Sequence, residues 1–394
     1  MSSSYFSASR RHFLRTAGLG LAGIPLLSCA ASLPGGDDAD EQLLYVGTNA
    51  AAEAESIFLY RLNATTGSLT RVRGYRAGAN PTYLTLDKKR RYLYAVNETT
   101  EYEGQPSGGV SAFALPRRPT EGDLTLLSRQ PSRGGAPCYI SLDTPEKLVL
   151  VANYVGGNVA ALPVLPNGGI GPATLFDQHE GKGPHANQTT PHAHCFLPDP
   201  AGRFAFSVDL GTDTVYGYAL ADARLGQLRP TVAFRTKPGT GPRQLIFTPD
   251  GRRAYLISEL NSTMTVLAYD ATQGTFQEIE VVSTLPADFT GESYCADVHL
   301  SPDGRFLYGS NRGHNSIVVF AVDQGSGRLT PVQHTSVLGN WPRNFTLTPN
   351  GRMLLVANQR SNNIVSFRID KATGRLTPTG QSAEVPTPMC LVMR

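Results

Sequence analysis

Ser301-Pro302-Asp303-Gly304-Arg305-Phe306-Leu307-Tyr308-Gly309-Ser310-Asn311 decides the fold, because it recurs. It reads as a strand end, a Pro-Asp-Gly turn, and an apolar run that stops at a small polar residue. The same ending appears at Tyr45–Asn49, Tyr94–Asn97, Leu150–Asn153, Phe206–Asp209, Tyr255–Ser258, Tyr308–Asn311 and Leu355–Asn358. Successive end points lie 48, 56, 56, 49, 53 and 47 residues apart. In six of them a turn residue sits seven positions upstream: Arg90, Glu146, Gly202, Gly251, Gly304 and Gly351.

Each end point is followed by a second alternating run, such as Asn315–Phe320, Asn363–Phe367 or Thr214–Tyr218. Period-two alternation marks strands. A Gly-x-Leu-Thr turn then closes three of the units, at Thr66–Thr70, Gly325–Thr330 and Thr373–Thr377. Four strands in about 50 residues is the size of a propeller blade. Seven repeats predict an all-β, seven-bladed β-propeller over 43–394. The first strand begins in mid-repeat, and Pro388–Met393 matches the strand that precedes a turn. The last strand is therefore expected to complete the first blade and close the ring, so that no sheet edge stays open.

Ahead of the repeats, Ser9–Arg15 carries Arg10-Arg11 and then Phe13-Leu14, and an apolar run from Ala17 to Leu27 is interrupted by Pro25. The run is too short to span a bilayer, and its flanks are those of an export signal. The paired arginines resemble the Tat signal, which carries folded proteins. Leu26-Leu27-Ser28-Cys29 resembles a lipobox, so residues 1–29 are expected to be an export signal with Cys29 as the lipidation site and a possible membrane anchor. The alternative is ordinary cleavage near Ala30 or Ala31. Residues 30–42, with Gly-Gly and a run of acids, read as a linker. The product is expected outside the cytoplasm, as a monomer.

The chain is 40% hydrophobic and 17% charged, with 40 glycines and 28 prolines, which suits a soluble protein with many tight turns. A net charge of +3, partly contributed by the export segment, leaves no basic surface for nucleic acid. Cys138, Cys195, Cys295 and Cys390 lie apart in apolar strands with no CxxC, so each is expected to be a small buried residue. No metal or other cofactor is expected.

Aligned repeats place equivalent residues at equivalent heights in a ring. The position after each end point reads Glu98, Tyr154, Leu210, Glu259, Arg312 and Gln359, a polar set expected at one mouth of the channel. Six residues before the turn proline or its equivalent, a second column reads Thr82, Cys138, His192, Arg243, Ala296 and Arg343. Two residues further on, the column is apolar except for His194. His194, Glu259, Arg243 and Arg312 are thus the candidate catalytic residues, and His192, Arg343, Tyr154, Gln359 and Glu98 the candidate substrate contacts. Arginines bind carboxylate or phosphate and stabilise an oxyanion, and a histidine or glutamate can activate water. The bland alternative is an axis filled with ion pairs. His192 and His194 could also ligate a metal, but no third ligand is visible. The end-point asparagines read as hydrogen-bonding devices.

Pro191–His194, Asp209–Asp213, Gly241–Arg243 with Glu259-Leu260, Ser301–Tyr308 with Ser310–Arg312, and Trp341–Arg343 together resemble the seven-bladed lactonase family. It includes propeller-type 6-phosphogluconolactonases and carboxy-cis,cis-muconate cyclases. The resemblance runs over 43–393. It implies hydrolysis of a small anionic or sugar-like lactone, using a histidine, two arginines and a glutamate at positions matching His194 (or His192), Arg243, Arg312 and Glu259. An export signal departs from the cytoplasmic phosphogluconolactonases, so an unphosphorylated lactone is as plausible a substrate. Muconate-type cycloisomerisation, or non-catalytic binding of a glycan or protein, are the alternatives.

Overall fold

The computed structural model describes residues 41–224 and 226–394. The export signal, the lipobox at Cys29 and all of the linker before Glu41 lie outside them. Among the described residues, twenty-eight strands form seven four-stranded antiparallel sheets, the expected blades. Blade 1 is made of Glu41–Thr48, Ile57–Asn63 and Leu69–Tyr75, with Pro388–Met393 as its innermost strand. Blades 2 to 7 follow in sequence, from Leu84–Leu86 through Leu376–Glu384. The closing strand pairs Leu44 with Met393 and Val46 with Leu391, as the repeat phase predicts.

Burial follows from the alternation. Leu44 and Val46 pack toward blade 7, against Leu355, Ala357 and Ile364, while Tyr45 between them packs toward blade 2, against Leu84, Leu93 and Ala95. Seven apolar clusters result, one at each blade interface, the seam between blades 7 and 1 included. Hydrogen bonds latch neighbours together: Tyr255 Oη donates to the Gly327 carbonyl, Tyr308 Oη to that of Gly374, and across the seam Ser366 Oγ to that of Gly67. Gly374 has φ +72°, and a Cβ there would lie 2.3 Å from the Phe306 ring. That requirement explains the glycine in the repeated Gly-x-Leu-Thr turn.

All six turn residues of the repeat adopt the left-handed conformation, φ +54° at Arg90 and +55° at Glu146 as at the four glycines. The end-point asparagines act as fasteners. Asn153, Asn311 and Asn358 donate from Nδ2 to the carbonyls of Ser132, Thr284 and Val337, each just beyond the outer strand of the preceding blade. In blade 1 the equivalent residue is Thr48 rather than Asn49, because it is Thr48 that pairs with Pro388. The four body cysteines are buried and free.

Candidate active site

The innermost strands share one irregularity. In six of the seven blades the register between the inner strand and its neighbour shifts near the inner strand's start, so that an extra residue bulges out. A bulge re-aims a side chain, here toward the axis. The bulged residues are Met389, Cys138, His194, Arg243, Ala296 with Asp297, and Arg343. Together with Thr82 of blade 2, Met389, Cys138, His194, Arg243 and Arg343 line a narrow cavity on the axis.

This register corrects the alignment of blade 4. Ala193 pairs with Asp209 as Pro242 does with Ser258, so His194 is the counterpart of Arg243 and Arg343. His192 lies two residues earlier, and the apolar position belongs to Phe196. The turn Pro198-Asp199-Pro200 offers two prolines. Pro200 is the equivalent of Pro249, and counting from Pro198 displaces the column by two. His194 is therefore no polar intruder in an apolar column but the blade-4 member of a polar one.

The column after the end points lies at the same end of the ring. Glu259 Oε2 accepts from Arg243 Nε at 2.9 Å and from Arg312 Nη2 at 2.7 Å. Arg312 also donates to the carbonyls of Tyr294 (3.2 Å) and Cys295 (2.8 Å), and Arg243 Nη1 to that of Ala296. Both guanidiniums are buried, while the Glu259 side chain keeps 15% of its surface exposed. The ion pair is neither sealed nor free, and it borders a recess that stays open to solvent. Opposite, Arg343 Nη2 lies 3.9 Å from Glu98 Oε1, and Glu98 Oε2 accepts from Thr82 Oγ1. Buried Gln359 Oε1 has no hydrogen-bond partner among the described residues.

The imidazoles differ in their surroundings. His194 is buried, with Nδ1 3.7 Å from Cys138 Sγ. Burial, then the charges of Arg243 and Arg343, hold its pKa well below the usual histidine range, so it is neutral near pH 7. His192 is half-buried and stacks on Tyr154 with ring centroids 4.4 Å apart, while the Tyr154 and His194 rings meet nearly at right angles with centroids 5.5 Å apart. His192 Nδ1–H donates to the Tyr154 carbonyl at 2.9 Å, which leaves Nε2 as the basic nitrogen. The backbone N–H of His192 is held by Asp209 Oδ1 at 3.0 Å. Burial pushes the Glu259 carboxyl up, but Arg312 and Arg243 outweigh it and the net shift is downward. Burial lowers Arg312 to about 10, against the opposing pull of Glu259. Burial and the Glu259 charge raise the Tyr154 phenol to about 12.

All nine site residues expected from the repeat columns therefore gather at one end of the channel. Leu210, the odd member of its column, is fully buried and takes no part. Asp297 was not among the expected residues. Its buried carboxylate accepts from Asn344 Nδ2 (2.6 Å) and the Phe345 N–H (3.0 Å) and contacts His299 Nε2 (3.1 Å), tying blade 6 to blade 7 beneath the site. The signal was a lone acid in the apolar run Tyr294–Leu300.

A family model described as "Lactonase, 7-bladed beta-propeller" matches residues 43–393. The chain belongs to this lactonase family. It is 38% identical over 301 residues to a 6-phosphogluconolactonase of Bacillus subtilis, covering 76% of this chain and 83% of that one. It is 34% identical over 279 residues to a 6-phosphogluconolactonase of Formosa agariphila, covering 68% and 75%. Among solved structures of lactonase-like propellers, the periplasmic gluconolactonase of Pseudomonas aeruginosa superposes with a TM-score of 0.83 at 35% identity, covering 90% of this chain and 99% of that one.

Proposed function

We propose that the chain hydrolyses a sugar-type lactone outside the cytoplasm, and that its preferred substrate is an unphosphorylated aldonolactone. The observation that carries this reading is the gathering of Arg243, Arg312 and Arg343 with two imidazoles at one mouth of a lactonase-family propeller. Hydrolysis adds water oxygen to the ester carbonyl, places negative charge on the carbonyl oxygen, and then breaks the ring C–O bond. The water's proton passes to a base and on to the departing ring oxygen. The product is an aldonic acid.

Arginine N–H groups supply the oxyanion contacts, typically about 10²–10³ in rate for one such donor. Glu259 spends its charge on two arginines and is held in its anionic, weakly basic form, so its role is to aim them. His194 is a neutral hydrogen-bonding group whose protonation Arg243 and Arg343 oppose. His192, with Nδ1–H committed to a backbone carbonyl and Nε2 held only by a long 3.5 Å contact to the Thr190 hydroxyl, is the better placed base, worth about 10²–10⁴.

Support for export comes from Arg10-Arg11 and the sequence through Cys29, and from the likeness to the periplasmic gluconolactonase of Pseudomonas aeruginosa. Titrating acid released from glucono-δ-lactone and from its 6-phosphate tests the reading. Catalysed opening is expected for both, faster for the plain lactone. Rates no higher than the spontaneous ones for both would defeat it.

A further inference from the structure

Trp341 is the only tryptophan in the sequence, and it sits where a bulky residue is least welcome. In every blade but the sixth, the backbone carbonyl two residues before the channel-lining position accepts the N–H of the post-end-point residue. Asn80, Ala136, His192, Gly241, Trp341 and Thr387 all do this. Five of these six have positive φ: +47° at Asn80, +51° at Ala136, +62° at Gly241, +66° at Trp341 and +37° at Thr387. Glycine takes that conformation freely, and an aromatic residue takes it under strain. The strain is held from blade 6, where Asn315 Oδ1 accepts the Trp341 N–H at 2.8 Å. Strain maintained at a site mouth points to use of the side chain.

The indole is half-buried beside the recess. The Arg312 guanidinium, which grips Glu259, lies 5.3 Å from its ring centroid, and the Tyr294 ring 6.3 Å away. Arg360 lies 3.4 Å over the ring. Arg360 is exposed and has no ion-pair partner among the described residues, so only a weak surface contact keeps it there. Gln359, with its unpaired Oε1, is the residue hydrogen-bonded to the Trp341 carbonyl.

We propose that Trp341 is a specificity platform on which the C–H face of the sugar-lactone ring lies, with Arg360 a displaceable cover that turns to meet the ring's outward oxygens. The proposal rests on the lactonase reading and deepens it, since it asks for a pyranose-like ring rather than an open-chain ester. Aromatic faces suit such rings because they offer a large rigid surface at little cost in side-chain entropy.

The lone tryptophan makes the test direct. Intrinsic fluorescence of the intact protein is followed while D-glucono-δ-lactam, a ring-closed analogue whose amide resists opening, is added, and lactone opening is measured in parallel. A saturable emission change is expected in the wild type. Trp341→Gly adopts the backbone that Gly241 already uses and so keeps the fold. It is expected to raise KM about fivefold or more with kcat nearly unchanged, and Trp341→Phe to restore part of the loss. Flat emission, or a Trp341→Gly KM within about twofold of wild type, overturns the platform while lactone opening continues. Failure of the wild type to open any sugar lactone overturns the platform and the lactonase reading together.

Discussion

The two halves of the inner ring share one backbone irregularity, blade 2 excepted, and differ in chemistry. Blades 1 to 3 present Met389, Thr82 and Cys138, while blades 4 to 7 present His194, Arg243, Ala296 with Asp297, and Arg343. The same irregularity aims a small or apolar side chain on one arc and a charged or polar one on the other. The fold supplies the aim, and local substitution supplies the chemistry. The outer column agrees in part: Glu259 and Arg312 stand on the polar arc, and Glu98 crosses to meet Arg343.

Breaking the polar arc is expected to have the largest effect. Glu259→Gln releases both Arg243 and Arg312 and should lower kcat/KM about 10²–10³-fold, comparable to losing an oxyanion donor. Steady-state kinetics on glucono-δ-lactone check this, and circular dichroism confirms that the fold persists. Asp297→Ala breaks the arc from beneath. It strands the donors of Asn344 and Phe345 in the interior, and should cost about 2–4 kcal/mol in denaturant-unfolding stability.

Acid sharpens the comparison. His194 has a depressed pKa in the fold, so the unfolded chain takes up its proton first, and stability falls as pH drops below about 6.5. Glu259 is also depressed, and its contribution is present above about 4.5 and lost as pH falls further. His299 runs the other way. Burial lowers its pKa, but Asp297 outweighs burial and raises it, so its stabilisation is full below about 6.5 and lost as pH rises. Thermal melts between pH 4 and 8 should therefore show His194→Gln flattening the acid limb, and His299→Gln flattening the opposite slope. The smallest effect belongs to the bland arc. Cys138→Ala should leave kcat/KM within about twofold and cost about 1 kcal/mol or less.

Much of this was legible in the sequence because the repeat is loud. Seven repeats, the phase of the two termini and the turn positions all follow from spacing and alternation, although in blade 1 the end point is Thr48 and not Asn49. The outer column was legible too, since Glu98, Glu259 and Arg312 immediately follow recognisable strand ends. What escaped was the inner column in blade 4, where two prolines compete for one turn and a bulge adds a residue that alternation cannot mark. Asp297 escaped for a related reason. Blade 6 sets two residues, Ala296 and Asp297, opposite Ser310, and a column one residue wide sees only Ala296. Trp341 stood in the family-like motif, but its meaning needed φ, which no sequence pattern supplies.

The most direct test of the account is paired kinetics on Arg243→Gln and Cys138→Ala, which alter equivalent bulge positions on opposite arcs. With glucono-δ-lactone and the spontaneous rate subtracted, the account predicts a fall of about 10²-fold or more in kcat/KM for Arg243→Gln and near-wild-type activity for Cys138→Ala. Equal activity in the two variants, both folded, would contradict it.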